Sequence, residues 1–170
     1  LAYRRLSREA WLSSEDETRV APTEVYAPSL HPQPPSWYPL RQEEGIAHGR
    51  VHDDNCLVLD GVGGHAGLFG EAEAVLEVAR AWLDASLYGL DRTTVDAFWT
   101  PGPDGVRRFG WDGQSPDGSG STANVLGPRS VGHLGFTGTS LWIDPDAEAI
   151  YVLLSNCVHP TRDSRIRAFR

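Results

Sequence analysis

Between residues 71 and 88, apolar side chains recur with the period of a helix. Ala72, Val75, Leu76, Ala79, Trp82, Leu83 and Leu87 fall at i, i+3, i+4, i+7 spacing, so one apolar stripe faces a core. Glu71 and Glu73 suit the positive end of that helix, and Gly89 is placed to stop it. Further on the period changes. Residues 135–143 and 149–155 read as two strands, the second almost continuously apolar (Ala-Ile-Tyr-Val-Leu-Leu), as expected of a strand covered on both faces. Asp144-Pro145-Asp146 between them is turn chemistry. Weaker patterns predict a helix over residues 1–19 (Leu1, Leu6, Trp11, Leu12) and a short helix ending at Trp99, capped by Thr93 or Thr94. They also predict a short strand at Val106–Trp111 and a final helix from Thr161 to Arg170, itself capped by Thr161. Six prolines between Val20 and Arg50 forbid a long helix or a central strand there. With Trp37 and Tyr38 inside it, that stretch is expected to wrap the surface as an ordered loop.

Composition narrows the function classes. The chain has 170 residues, one domain's worth, with 40% hydrophobic and 22% charged residues. A net charge of -8 argues against nucleic acid as a main partner. No apolar run approaches the roughly 20 residues of a membrane span. Scanning the chain finds no lysine, so all 15 basic residues are arginines. A Ser-x-x-Lys nucleophile therefore cannot exist within these residues. Cys56 and Cys157 match neither a disulfide scaffold nor a CxxC site and read as free thiols. The sequence does not fix compartment or oligomeric state.

The chemistry-bearing segment is Gly132–His159, GHLGFTGTSLWIDPDAEAIYVLLSNCVH. A strand edge can aim a backbone N–H at a developing oxyanion, and Gly135 leaves room for a ligand to approach. His133 can donate to a substrate carboxylate or move a proton near neutral pH; the alternative is a histidine that only anchors a neighbouring loop. HDDN (52–55), with His48 and His65, invites a metal reading through His52, Asp53 and Asp54. Its spacing matches no standard zinc motif, and Asp and Asn in a turn serve equally well as loop anchors. No metal or cofactor is expected. GVGGHAGLFG (61–70) lacks the Gly-Lys-Ser/Thr ending of a phosphate loop, and His65 reads as a hydrogen-bonded loop residue. His159 and Arg162 read as solvated residues leading into the last helix.

GHLGFTGTSLWIDP, followed by a strand ending LLSN and then VHP, resembles the third-motif region of the serine β-lactamase-related family. That family includes class C β-lactamases, penicillin-binding D-Ala-D-Ala carboxypeptidases and esterases. Upstream, VAPTE (20–24), GRVHDDN (49–55), GVGGHAGLFG and FGWD (109–112) follow in the family's order, so the likeness covers about residues 20–165. The resemblance implies that His133 stands where the motif's Lys or His stands, Leu134 replaces its Thr, and Gly135 is its Gly. Phe136 would then lend its backbone N–H to the oxyanion hole. His133 and Phe136 are thus the expected catalytic positions, and Leu134 and Gly135 the expected substrate-binding ones.

Three departures qualify the likeness. There is no Ser-x-x-Lys, no Tyr-x-Asn or Ser-x-Asn, and Leu134 carries no hydroxyl for a substrate carboxylate. The helix start also reads FGEAEA where the family often has a Ser-Thr-Ala-x-Asp cap. The resemblance implies an α+β fold, an antiparallel sheet flanked by helices. The chain is expected to form a single incomplete domain, residues 1–130 being helical and loop region and 131–170 sheet strands and the start of a C-terminal helix. The family's N-terminal strands and nucleophile helix are expected to lie outside these residues. The implied activity is acyl-enzyme hydrolysis of an ester, amide or β-lactam, with a small-molecule or peptidoglycan-like substrate. The alternative is a binding or interaction module that keeps the scaffold without the nucleophile.

Overall fold

The computed structural model of the protein describes residues 2–3, 19–26, 45–46, 48–122 and 125–168. It divides into two compact units, Leu1–Gly70 with Asn156–Arg165, and Glu71–Ser155 with Ile166–Arg170. The helix expected over residues 1–19 falls mostly outside the described residues. Within it, Ala2–Tyr3 instead form a strand, β1, antiparallel to Leu68–Phe69. Most of the proline-rich loop, residues 27–44, likewise lies outside the described residues. On either side of it, β2 (Val25–Tyr26) and β3 (Gly45–Ile46) pair antiparallel.

In the first unit, α1 (Asp54–Val58) is a single short helix whose start is set by Asp53. The Asp53 carboxylate accepts the Cys56 N–H at 2.8 Å, satisfying one of the donors a helix start leaves open. Cys56 and Leu57 pack with Val51 and Ala66 in a small core. The turn that follows brings Gly67 (φ 97°) against Cys56, where a Cβ would collide with Gly61 O, and β4 (Leu68–Phe69) closes on β1. Both cysteines are free, as expected.

In the second unit, α2 runs from Ala72 to Leu83, shorter than the helix expected to Tyr88. Asp84 interrupts it by accepting from Ser86 N–H and Oγ–H, at 3.1 and 2.6 Å. This local side-chain bond competes with helix continuation. A 3-10 turn, Ala85–Tyr88, carries the chain on to Gly89, which takes the left-handed conformation at φ 67° and makes the stop. The next helix, α3 (Arg92–Trp99), is capped by Asp91, which accepts the Thr93 N–H at 3.2 Å; neither expected threonine fills the N-cap position.

The strand expected at Val106–Trp111 is a tight hairpin instead. Asp104 accepts the N–H groups of Val106 and Arg107 at 2.9 and 2.8 Å. The Arg108 N–H reaches Trp111 O and the Gly113 N–H reaches Val106 O. Only Asp112–Gly113 emerges as a strand, β5. It opens a four-stranded antiparallel sheet in the order β5-β6-β7-β8, with β6 Val131–Leu134, β7 Ser140–Asp144 and β8 Ala149–Leu153. Helices beside an antiparallel sheet make the architecture α+β, as expected.

Side-chain alternation assigns the sheet's faces. Val131 pairs with Ile143, and Ile143 with Ile150. These three join Ala79, Trp82, Leu83, Trp99, Trp111 and Leu141 in the unit's core. On the opposite face, Gly132, Trp142 and Tyr151 stand in register, and Tyr151 is half exposed. Within the described residues β8 is therefore covered on one face, and its apolar run does not report burial on both. At the chain's end, Asp163 rather than Thr161 receives the first free amide. It accepts the Arg165 N–H at 2.9 Å, ahead of a 3-10 helix at Ser164–Ala168.

Candidate functional site

The segment expected to be one strand from residue 135 is a hairpin, and the expected site residues lie at its bend. Leu134 pairs with Ser140, which leaves 135–139 as the connection. Two backbone bonds shape it, Gly135 N–H to Thr139 O at 2.7 Å and Gly138 N–H to Gly135 O at 3.1 Å. Gly138 takes φ 115°, a conformation open to glycine. Gly135 leaves room for the Thr139 hydroxyl, which a Cβ there would displace. The same holds one turn of the pleat earlier, where a Cβ on Gly132 would enter the Trp142 ring. Ser155, two residues beyond β8, donates its hydroxyl to Gly138 O at 2.6 Å.

His133, the third residue of β6, is exposed and pairs across the ladder with Leu141. Its Nδ1 lies 2.8 Å from Leu134 O. A carbonyl can only accept, so Nδ1 carries the proton and the neutral ring keeps its lone pair on Nε2. Leu134 is half-buried, Gly135 follows it, and Phe136 stands in the bend with 65% of its surface exposed. The four residues are thus contiguous at one end of the sheet. Their geometry offers an imidazole nitrogen beside a backbone bend, an arrangement suited to hydrogen bonding and proton transfer.

The HDDN residues separate instead of converging. His52 is buried and its Nε2–H donates to Glu24 Oε2 at 3.0 Å. Asp53 caps α1 and also accepts from His65 Nε2 at 3.0 Å, so His65 is the hydrogen-bonded loop residue expected. Asp54 sits exposed in the first turn of α1, and His48 Nε2 lies 2.6 Å from Val20 O. Among the described residues no group of three or more His, Cys, Asp or Glu side chains could hold a metal ion.

Arg162 and His159 are exposed, as expected, but neither is only solvated: each bonds to a partner far away in the sequence. Arg162 Nε and Nη2 both donate to the carboxylate of Glu24, which is only 6% exposed. Burial pushes Glu24 toward its neutral form, but the bonds from Arg162 and His52 outweigh that and hold it below the ordinary range. His159 Nδ1–H donates to Thr23 O, Asn156 Nδ2 to Pro22 O, and the Val25 N–H to Pro160 O. Residues 156–162 are stitched to 22–25 by these bonds. Sequence reasoning missed them because partners about 135 positions apart carry no periodic signal; the one trace was a lone glutamate in VAPTE beside apolar neighbours.

The Beta-lactamase family model matches residues 6–170 of the chain. The chain belongs to this family. Among curated relatives it is similar to the N-acetylmuramyl-L-alanine amidase of Bacillus subtilis (strain 168), at 35% identity over 121 residues, covering 65% of this chain and 27% of that protein. It is also similar to the putative D-alanyl-D-alanine carboxypeptidases of Salmonella agona (strain SL483) and Salmonella typhi. Each of these is 34% identical over 118 residues, again covering 65% of the chain and 27% of the relative. The chain therefore aligns with about a quarter of the length of these relatives. No solved structure matches it. No helix among the described residues is long and apolar enough to cross a membrane.

Proposed function

We propose that these residues are the C-terminal part of a serine hydrolase that attacks an ester, amide or β-lactam carbonyl through an acyl-enzyme. Its nucleophilic serine and the proton-handling lysine lie outside the 170 residues. The absence of lysine from the sequence and the match to only 27% of the relatives' length support that placement. Peptidoglycan-derived amides and D-Ala-D-Ala peptides are the first substrates to test, since two relatives carry the names amidase and carboxypeptidase.

The observation that carries the reading is the β6–β7 bend. His133 presents Nε2 there, with Nδ1–H committed to Leu134 O. In the acyl transfer, that nitrogen accepts a hydrogen bond from a substrate O–H or N–H, or takes up a proton and returns it to the leaving group. Phe136 N–H serves as an oxyanion donor, worth about 2.7–4 kcal/mol of barrier for a donor of this kind. Leu134 and Gly135 line the approach, Leu134 offering apolar contact where a hydroxyl would bind a carboxylate.

The test is to label the complete natural protein with a fluorophosphonate, which phosphonylates the nucleophile, or a labelled penicillin, which acylates it, and locate the adduct by peptide mass spectrometry. The adduct is expected on a serine outside residues 1–170. An adduct on Ser7, Ser115 or any other serine within them would refute the assignment. Specific ligand binding with no adduct would favour the non-catalytic module.

A further inference from the structure

The β6–β7 bend is held from within by its two backbone bonds and from outside by Ser155. The Ser155 hydroxyl is half-buried and donates to Gly138 O at 2.6 Å. Gly138 is itself buried and takes φ 115°, a conformation glycine adopts freely, and its own N–H closes the turn on Gly135 O. The peptide that Ser155 grips is thus the far end of the one turn that carries Phe136. Rotating a peptide plane in such a turn redirects its neighbours' N–H vectors, and a donor aimed at an oxyanion loses most of its value when misdirected by even a small angle. Gly135 O shares its peptide group with the Phe136 N–H and is held by the Gly138 N–H, so a hydroxyl that fixes the Gly138 carbonyl steadies the Phe136 donor through Gly138.

We propose that Ser155 is a positioning residue for the reaction: through Gly138 it sets the orientation of the Phe136 N–H in the β6–β7 bend. This rests on the proposed hydrolase reading of that bend. Ser155 does not touch the substrate, so its loss lowers turnover while leaving substrate binding in place. Nor does it contribute to the core of the sheet, so β6 and β7 stay paired.

The experiment compares Ser155→Ala and Ser155→Thr with the natural full-length protein in two measurements. Amide hydrogen exchange is followed for the peptide spanning residues 135–139 and, as an internal standard, for peptides from α2 and β7. Steady-state hydrolysis gives kcat and KM separately. Ser155→Ala is expected to speed exchange in 135–139 by about tenfold with α2 and β7 unchanged, and to lower kcat about tenfold with KM within twofold. Ser155→Thr, which keeps the hydroxyl, is expected to restore both. Unchanged exchange in 135–139 overturns the clamp whatever the enzyme does. Faster exchange with unaltered kcat overturns the positioning role. If the natural protein hydrolyses nothing, the hydrolase reading fails and with it the positioning role, while the exchange data still report whether Ser155 holds the bend.

Discussion

Glu24 and Asp144 are both buried carboxylates, held ionised by different means. Glu24 is held by two side chains, Arg162 and His52. Asp144 is held by backbone, accepting the N–H groups of Gly127, Asp146 and Ala147 at 2.8–3.1 Å. In each, burial opposes ionisation and the donors outweigh it, so both pKa values lie below the ordinary range. The sign for stability follows. Above the ordinary carboxylate values the groups are ionised folded and unfolded, and their contribution is complete. As pH falls below about 4.5 for glutamate and 4 for aspartate, the unfolded chain takes up protons first. Stability then declines until the folded-state pKa is passed. Urea midpoints measured from pH 7 to pH 3 should show this decline, and Glu24→Gln with Asp144→Asn should flatten it. Removing His52 alone leaves Glu24 short of a partner, and His52→Ala should cost about 1–3 kcal/mol in the same assay. A loss under about 0.5 kcal/mol would show that the pair does not hold the first unit together.

Elements differed sharply in how well they could be read. The apolar stripe of α2 was legible because burial on one face imposes its period on the sequence. Its end was not, because Asp84 diverts the chain through a local bond rather than a break in pattern. The same applies to Asp91, which displaced two equally plausible caps, and to Asp104, which folds Val106–Trp111 back on itself. In the sheet, the bend at residues 135–139 was read as strand, since Gly-Phe-Thr-Gly-Thr carries β-forming residues between its glycines. What the sequence did not disclose is why the glycines are there. Gly132 makes room for Trp142, and Gly135 for the Thr139 hydroxyl. Gly132→Ala should therefore cost about 1–3 kcal/mol by overpacking, read as a lowered urea midpoint. Gly89→Ala meets no neighbour, and should cost only the strain of its positive φ, about 1 kcal/mol. Equal losses at the two positions would contradict the packing argument.

At the scale of the molecule, the α+β class and the family were both legible, because a set of motifs in fixed order is far more specific than any one of them. The long-range stitching of 156–162 to 22–25 was not, and it gives a function to residues, Arg162 above all, that looked like surface charge. The candidate site was legible as a contiguous stretch, His133 to Phe136, but not as a bend. The most direct test of the central claim, that this bend lines an acyl-enzyme site, is the acylation rate of His133→Ala in the complete natural protein, with Tyr151→Phe as a surface control. The account predicts that His133→Ala slows acylation of the mapped serine by a factor of 10²–10⁴, the range of a general acid or base, with an unchanged urea midpoint and an unaffected control. An acylation rate within twofold of the natural protein would contradict it.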